Sequence, residues 1–137
     1  MIGISDKTMA IHRDKLYAGY VKKVAEIGEK LGALHSANKV EGNATFSDLR
    51  ALKSEETFAR NGVYLHEWYF ENIAGDGVTT NAPELCMALI EKWGSMEDAL
   101  KYMSECGMAA RGWAIVCWDI KNQKLMQYNA ASHNQGG

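Results

Sequence analysis

A chain of 137 residues, 47% of them hydrophobic, can bury a core without disulfide or metal staples and forms one domain or two small layers. Its 15 basic and 17 acidic residues nearly balance, which excludes a strong global positive field for holding nucleic acid but says nothing of local patches. Cys86, Cys106 and Cys117 fall in no CxxC or CxxH spacing and read as buried thiols of a cytoplasmic protein rather than a disulfide framework.

The start, Met1 to Asp6, lacks a basic region followed by an apolar stretch, and no apolar run is long enough to span a bilayer. Ser5 is placed to cap a helix running to about Leu31, with Asp6 in its positive first turn. Met9, His12, Leu16, Tyr20, Val24 and Leu31 recur at helical spacing and make one face, and Gly32 is the expected stop. Residues 35–46 are polar and aperiodic, a connector. Ser47 is placed to cap a short helix to Leu52, and a longer helix is expected from Ser54 to Ile73. On it Phe58, Gly62, His66 and Phe70 stand at four-residue spacing. Two helices so joined predict an antiparallel hairpin over residues 1–74 in which His12 and His66 face each other.

Residues 74–82 are turn-forming and mark the internal boundary. Pro83 suits the first turn of a helix whose stripe is Leu85, Leu89, Ile90 and Trp93, ended by Gly94. Ser95 with Asp98 resembles a capping box for a helix stopping near Gly107. Trp113 to Trp118 and Lys124 to Tyr128 then read as two strands around a turn. The fold class is α+β: an N-terminal antiparallel helical hairpin, then over 82–137 a partial α/β unit of helices and an antiparallel strand pair. Two strands make a poor sheet alone, so this unit reads as incomplete, with an open strand edge that predicts self-association.

The chemistry rests on the histidines. A lone histidine on an apolar helix face is usually a hydrogen-bonded core residue. Two of them on consecutive helices, both among aromatics, make metal ligation as good a reading. Two imidazoles alone are a poor closed site, and no other donor stands at obvious ligand spacing. His35, in the connector, reads as solvated. No GxSxG, P-loop or GxGxxG motif occurs. Trp68, Tyr69 and Phe70 could form a base-stacking platform, but consecutive helical residues diverge, which favours packing.

Four collinear segments resemble the iron/manganese superoxide dismutase family. They are Ile4–Met9 with His12 and Tyr20-Val21, then Leu65-His66-Glu67-Trp68-Tyr69-Phe70-Glu71-Asn72-Ile73, then Arg111-Gly112-Trp113-Ala114, and finally His133-Asn134-Gln135-Gly136-Gly137. The resemblance implies His12 and His66 as metal ligands, Tyr20 at the mouth of the substrate funnel, and Trp68 and Trp113 in the pocket wall. It implies His133, or else Gln135, as the residue that hydrogen-bonds the metal-bound solvent. The implied cofactor is iron or manganese, and the implied reaction is dismutation of superoxide to oxygen and hydrogen peroxide. His133 leans the metal towards iron or a cambialistic site.

The family's remaining Asp and His ligands, from an Asp-x-Trp-Glu-His-like segment, do not occur in this sequence, and Leu16 stands where relatives often carry His. The expectation is a truncated or split form, inactive alone and completed by a homo-oligomer or a complementing chain. The alternatives are a non-catalytic structural or interaction subunit of the same fold, and a partial two-histidine site for zinc. No nucleic-acid or membrane partner is expected.

Overall fold

Ser5 accepts the Thr8 N–H at 3.1 Å, and Asp6 lies in the positive first turn, so the first helix opens where its capping residue stands. The computed structural model describes residues 3–73 and 75–135, Thr79 by its backbone alone. Met1 and Ile2, Ala74 of the expected linker, and Gly136 and Gly137 of the last motif lie outside the described residues. The chain divides into two compact units, Met1–Asn72 and Ile73–Gly137.

The first unit begins with α1 (Asp6–Ile11), a π-helical segment (His12–Tyr17) and α2 (Ala18–Ser36), which follow one another without a break. The Ala18 N–H reaches back five residues to the Arg13 carbonyl, which is the wide turn. The stop expected at Gly32 does not occur. An internal glycine weakens a helix by only about 1 kcal/mol, and half-buried Leu34 keeps the apolar face going. The stop is Asn38, at φ 53°, whose N–H bonds the His35 carbonyl at 3.0 Å while the Lys39 N–H bonds the Leu34 carbonyl at 2.9 Å. That pair of bonds satisfies carbonyls the helix end would otherwise orphan.

Two helices expected over 47–73 are a single one, α3 (Asp48–Asn72). Ser47 caps it, accepting the Arg50 N–H at 3.1 Å. No break occurs near Ser54, because Leu49, Leu52, Ala59, Gly62 and His66 carry one inward face across that point. Glu56 meanwhile bridges Lys53 and Arg60 on the outside. Tyr20 packs against Phe58 and His66, Tyr17 against Phe70, and His12 against His66 and Tyr69. From Tyr17 to Tyr20 the partners on α3 step back from Phe70 to His66 and Phe58, as in an antiparallel hairpin.

In the second unit a 3-10 turn (Thr79–Asn81) leads to α4 (Pro83–Trp93), with proline at its start. Gly94, at φ 92°, sends its N–H to the Ile90 carbonyl at 2.7 Å and ends the helix in a conformation only glycine adopts freely. Ser95 then caps α5 (Met96–Ala109), accepting the Asp98 N–H at 3.0 Å and donating to the Asp98 carboxylate at 2.7 Å. Strands β1 (Trp113–Asp119) and β2 (Lys124–Ala130) pair antiparallel, with Trp113 opposite Ala130 and Asp119 opposite Lys124. The turn between them is fixed by Asp119, which accepts the Lys121 and Asn122 N–H groups.

Leu89, Ala99 and Leu125 form the buried core of this unit, closed by Trp93, Met96 and Met103. Burying one leucine contributes about 1.5–3 kcal/mol, so this small cluster is what ties α4 and α5 to the strand pair. The whole is α+β, as the sequence predicts. No helix among the described residues is long and apolar enough to cross a membrane.

Candidate functional site

His12 and His66 come together. Their ring centroids are 5.7 Å apart with the planes at 68°. The π turn is what brings His12 to this position. At about 100° per residue a regular helix would leave Tyr20, eight positions on, roughly 80° away around the axis, whereas one inserted residue cuts the offset to about 20°. Tyr20 and His12 therefore both reach His66, Tyr20 with centroids 5.5 Å apart. The same turn carries Leu16 off the face. Leu16 is exposed, and half-buried Tyr17 takes its place.

Tyr17 donates its phenolic hydrogen to the Glu67 carboxylate at 2.8 Å and packs edge-on against Phe70. That hydrogen bond, with burial and the carboxylate charge adding to it, holds the Tyr17 pKa above its ordinary value.

His66 is 5% exposed, and its Nδ1 lies 2.6 Å from the Gly62 carbonyl oxygen. A carbonyl only accepts, so the Nδ1 proton is fixed there and a neutral His66 carries its lone pair on Nε2. Burial pushes the His66 pKa down. The Gly62 carbonyl opposes that shift and the neighbouring His12 adds to it. Gly62 has a second task. A Cβ there would lie 2.8 Å from Tyr20 Cγ, so only glycine lets the Tyr20 ring lie against this turn of α3.

His12 Nδ1 is buried and has no hydrogen-bond partner. A buried imidazole nitrogen left unsatisfied costs free energy unless something binds it. The residues present thus fit part of a metal site. They offer two imidazoles, one oriented by a backbone carbonyl and the other with an unmet nitrogen, inside a ring of Tyr20, Tyr69 and Phe70. They do not fit a complete one. No group of three or more His, Cys, Asp or Glu gathers among the described residues in a way that could hold an ion.

In the second unit Trp113 Nε1–H donates to His133 Nδ1 at 2.9 Å. An indole nitrogen only donates, so a neutral His133 carries its proton on Nε2. The Gln135 side-chain carbonyl is turned back onto the Ala131 N–H at 3.0 Å. Trp68, expected in a pocket wall, is 58% exposed, while its neighbours Tyr69 and Phe70 pack inward. His35 is exposed at the end of α2. The three cysteines are half-buried and unpaired by disulfide, and Cys106 Sγ–H donates to Gln127.

The sequence pattern missed Tyr17 and Glu67. Their signal was a tyrosine five residues after one histidine and a carboxylate next to the other.

No family model matches the sequence. The iron superoxide dismutase of Aquifex aeolicus is 36% identical over 132 residues, covering 96% of this chain and 62% of that protein. The iron superoxide dismutase of Cupriavidus metallidurans is 28% identical over 137 residues, 97% of this chain and 66% of that protein. The manganese superoxide dismutase of Haloarcula marismortui is 28% identical over 133 residues, 97% and 63%. The chain therefore spans less than two thirds of the length of these relatives.

Proposed function

We propose that this chain, which belongs to the iron/manganese superoxide dismutase family, supplies His12 and His66 as two ligands of an iron or manganese ion that dismutes superoxide to oxygen and hydrogen peroxide. The observation that carries the reading is the imidazole pair. His66 is oriented through Nδ1 by the Gly62 carbonyl, and His12 carries a buried Nδ1 without a hydrogen-bond partner, the ring centroids 5.7 Å apart. A structural pair of core histidines would have both rings satisfied by the protein.

The metal, when bound, supplies the one-electron chemistry by alternating between its +3 and +2 states. The chain's own residues do the rest. The Gly62 carbonyl orients His66, and the aromatic rings around the pair keep water out. Tyr20, its ring against His66, stands at the mouth of the substrate funnel. His133, held at Nδ1 by Trp113, is the residue for hydrogen-bonding the metal's solvent, whereas the Gln135 carbonyl is spent on Ala131.

Iron and manganese favour carboxylate beside imidazole, so two histidines hold either ion weakly. The 137-residue polypeptide by itself is accordingly a poor dismutase. The missing donors come from outside the described residues, through another segment, a second copy or a complementing chain. Three thiols unpaired by disulfide suit a cytoplasmic address.

The test is elemental analysis and a superoxide assay on one purified sample, with His12→Ala and His66→Ala alongside. The expected result is less than one tightly held iron or manganese per chain, lost in either variant, and little dismutation. Metal content that survives both substitutions would overturn the ligand assignment. Full occupancy with high activity would overturn the need for further donors. The shortage of donors also favours a second reading, a non-catalytic subunit of the same fold. It predicts that the histidine variants leave metal content unchanged at zero while association with a partner persists.

A further inference from the structure

The π-helical segment begins at His12 and ends at Tyr17, and its far end is tied to the opposite helix. We infer that the Tyr17–Glu67 hydrogen bond is the clamp that holds the π turn, so that Tyr17 is the positioning residue for His12. This inference rests on the reading of His12 and His66 as a ligand pair, and it assigns a role to two side chains outside that pair.

A π turn is less favourable than the α-helix it interrupts and persists only where the surroundings hold it. N-terminal capping does not hold this one, since Ile11 at its N-cap makes no side-chain cap hydrogen bond. From the segment to α3 reach His12, against His66 and Tyr69, and Tyr17, against Phe70 and Glu67. The ring contacts are non-directional and would tolerate sliding. The phenol-to-carboxylate bond, between residues fifty apart in sequence, is directional.

Glu67 directly follows His66, so the acceptor and the facing imidazole ride on the same turn of α3. Were the segment to relax to a regular helix, Tyr17 would rotate by about 100° relative to His12 and lose Glu67. The bond and the wide turn therefore stand or fall together, and with them the placement of His12 and Tyr20 on one line facing His66.

The experiment uses the full chain, metal-free, with Zn²⁺ alone as the probe. Variants are Tyr17→Phe, Glu67→Met and Glu67→Gln, with Ile27→Ala as a destabilised control from the buried part of α2. NMR of the apo protein reads ring-to-ring contacts between His12 and His66, and titration calorimetry reads zinc affinity. Tyr17→Phe and Glu67→Met are expected to lose the ring contacts and weaken zinc binding about tenfold. Glu67→Gln keeps an amide oxygen to accept the phenol and is expected to restore both, and Ile27→Ala lowers stability while leaving both intact.

Wild-type ring contacts in Tyr17→Phe, or loss of them in Ile27→Ala to the same degree, would overturn the clamp. If wild-type zinc binding is indifferent to His66→Ala, the ligand reading fails. The apo ring contacts then still decide the clamp.

Discussion

Gly62→Ala is the sharpest single test of how the hairpin is packed. The new methyl would lie 2.8 Å from Tyr20 Cγ and 2.9 Å from Cδ1. Carbon atoms in good contact stand about 3.5–4.0 Å apart, so the ring must retreat by roughly 0.7–1.2 Å. Forcing a methyl into a packed face costs about 1–3 kcal/mol. Against that, alanine in a helix interior is favoured over glycine by about 1 kcal/mol. The net is a loss centred near 1 kcal/mol, which lowers the Tm of a unit this size by about 4–8 °C.

The sign reverses once the obstacle is gone. In a Tyr20→Ala background the same substitution meets no ring and gains about 1 kcal/mol. Denaturant and thermal unfolding of the four proteins, followed by circular dichroism, gives the coupling directly. If Gly62→Ala stabilises equally in both backgrounds, Tyr20 does not lie on Gly62 and the account of why a glycine stands there is wrong.

Other outcomes follow from the same geometry. In the metal-free protein the His66 pKa is lowered by burial from its ordinary value of 6.5. The stability it contributes is therefore fully present above about 6.5 and is lost as the pH falls through the depressed folded value. A His66→Ala variant should flatten that part of the acid unfolding profile, and an unchanged profile would refute the burial argument. Trp113→Phe removes the donor to His133 Nδ1 and should cost about 0.5–1.5 kcal/mol. The nitrogen shifts of His133 should then move from a single tautomer towards a mixture. At Asn38, with φ 53°, alanine should cost about 1 kcal/mol while glycine is neutral or slightly stabilising, read from the unfolding midpoint.

The helix starts were legible because a start is a local event. Ser5, Ser47 and Ser95 each accept a backbone N–H from three residues on, and Pro83 opens its helix. The glycine at Gly94 stops a helix and the one at Gly32 does not. Locally the two look alike, and what separates them is whether apolar packing continues beyond, as it does at Leu34. Ser54 fails as a helix start for the same reason, since the inward face of α3 runs through it from Leu52 to Ala59. The pairing of His12 with His66 was legible from spacing and aromatic company. The π turn was not, because a regular period was assumed across it, and that assumption put Leu16 on the inner face where Tyr17 belongs.

That one-residue offset explains why the site takes the form it does. His12, Tyr17 and Tyr20 stand at zero, five and eight, a spacing that fits no single face of an α-helix. With one residue looped out they behave nearly as zero, four and seven, the spacing of a helix that packs on one neighbour. The inserted residue thus lets three chemically distinct side chains share a line against Gly62, His66, Glu67 and Phe70 on α3. Among the described residues it also leaves His12 Nδ1 as the buried side-chain nitrogen without a partner. A fold that needed only a packed hairpin would gain by removing the bulge and satisfying that nitrogen. Keeping both is intelligible if the nitrogen is held for a ligand and the bulge is what aims it. The two His variants in the metal assay and Tyr17→Phe in the ring-contact measurement therefore probe one device from its two ends.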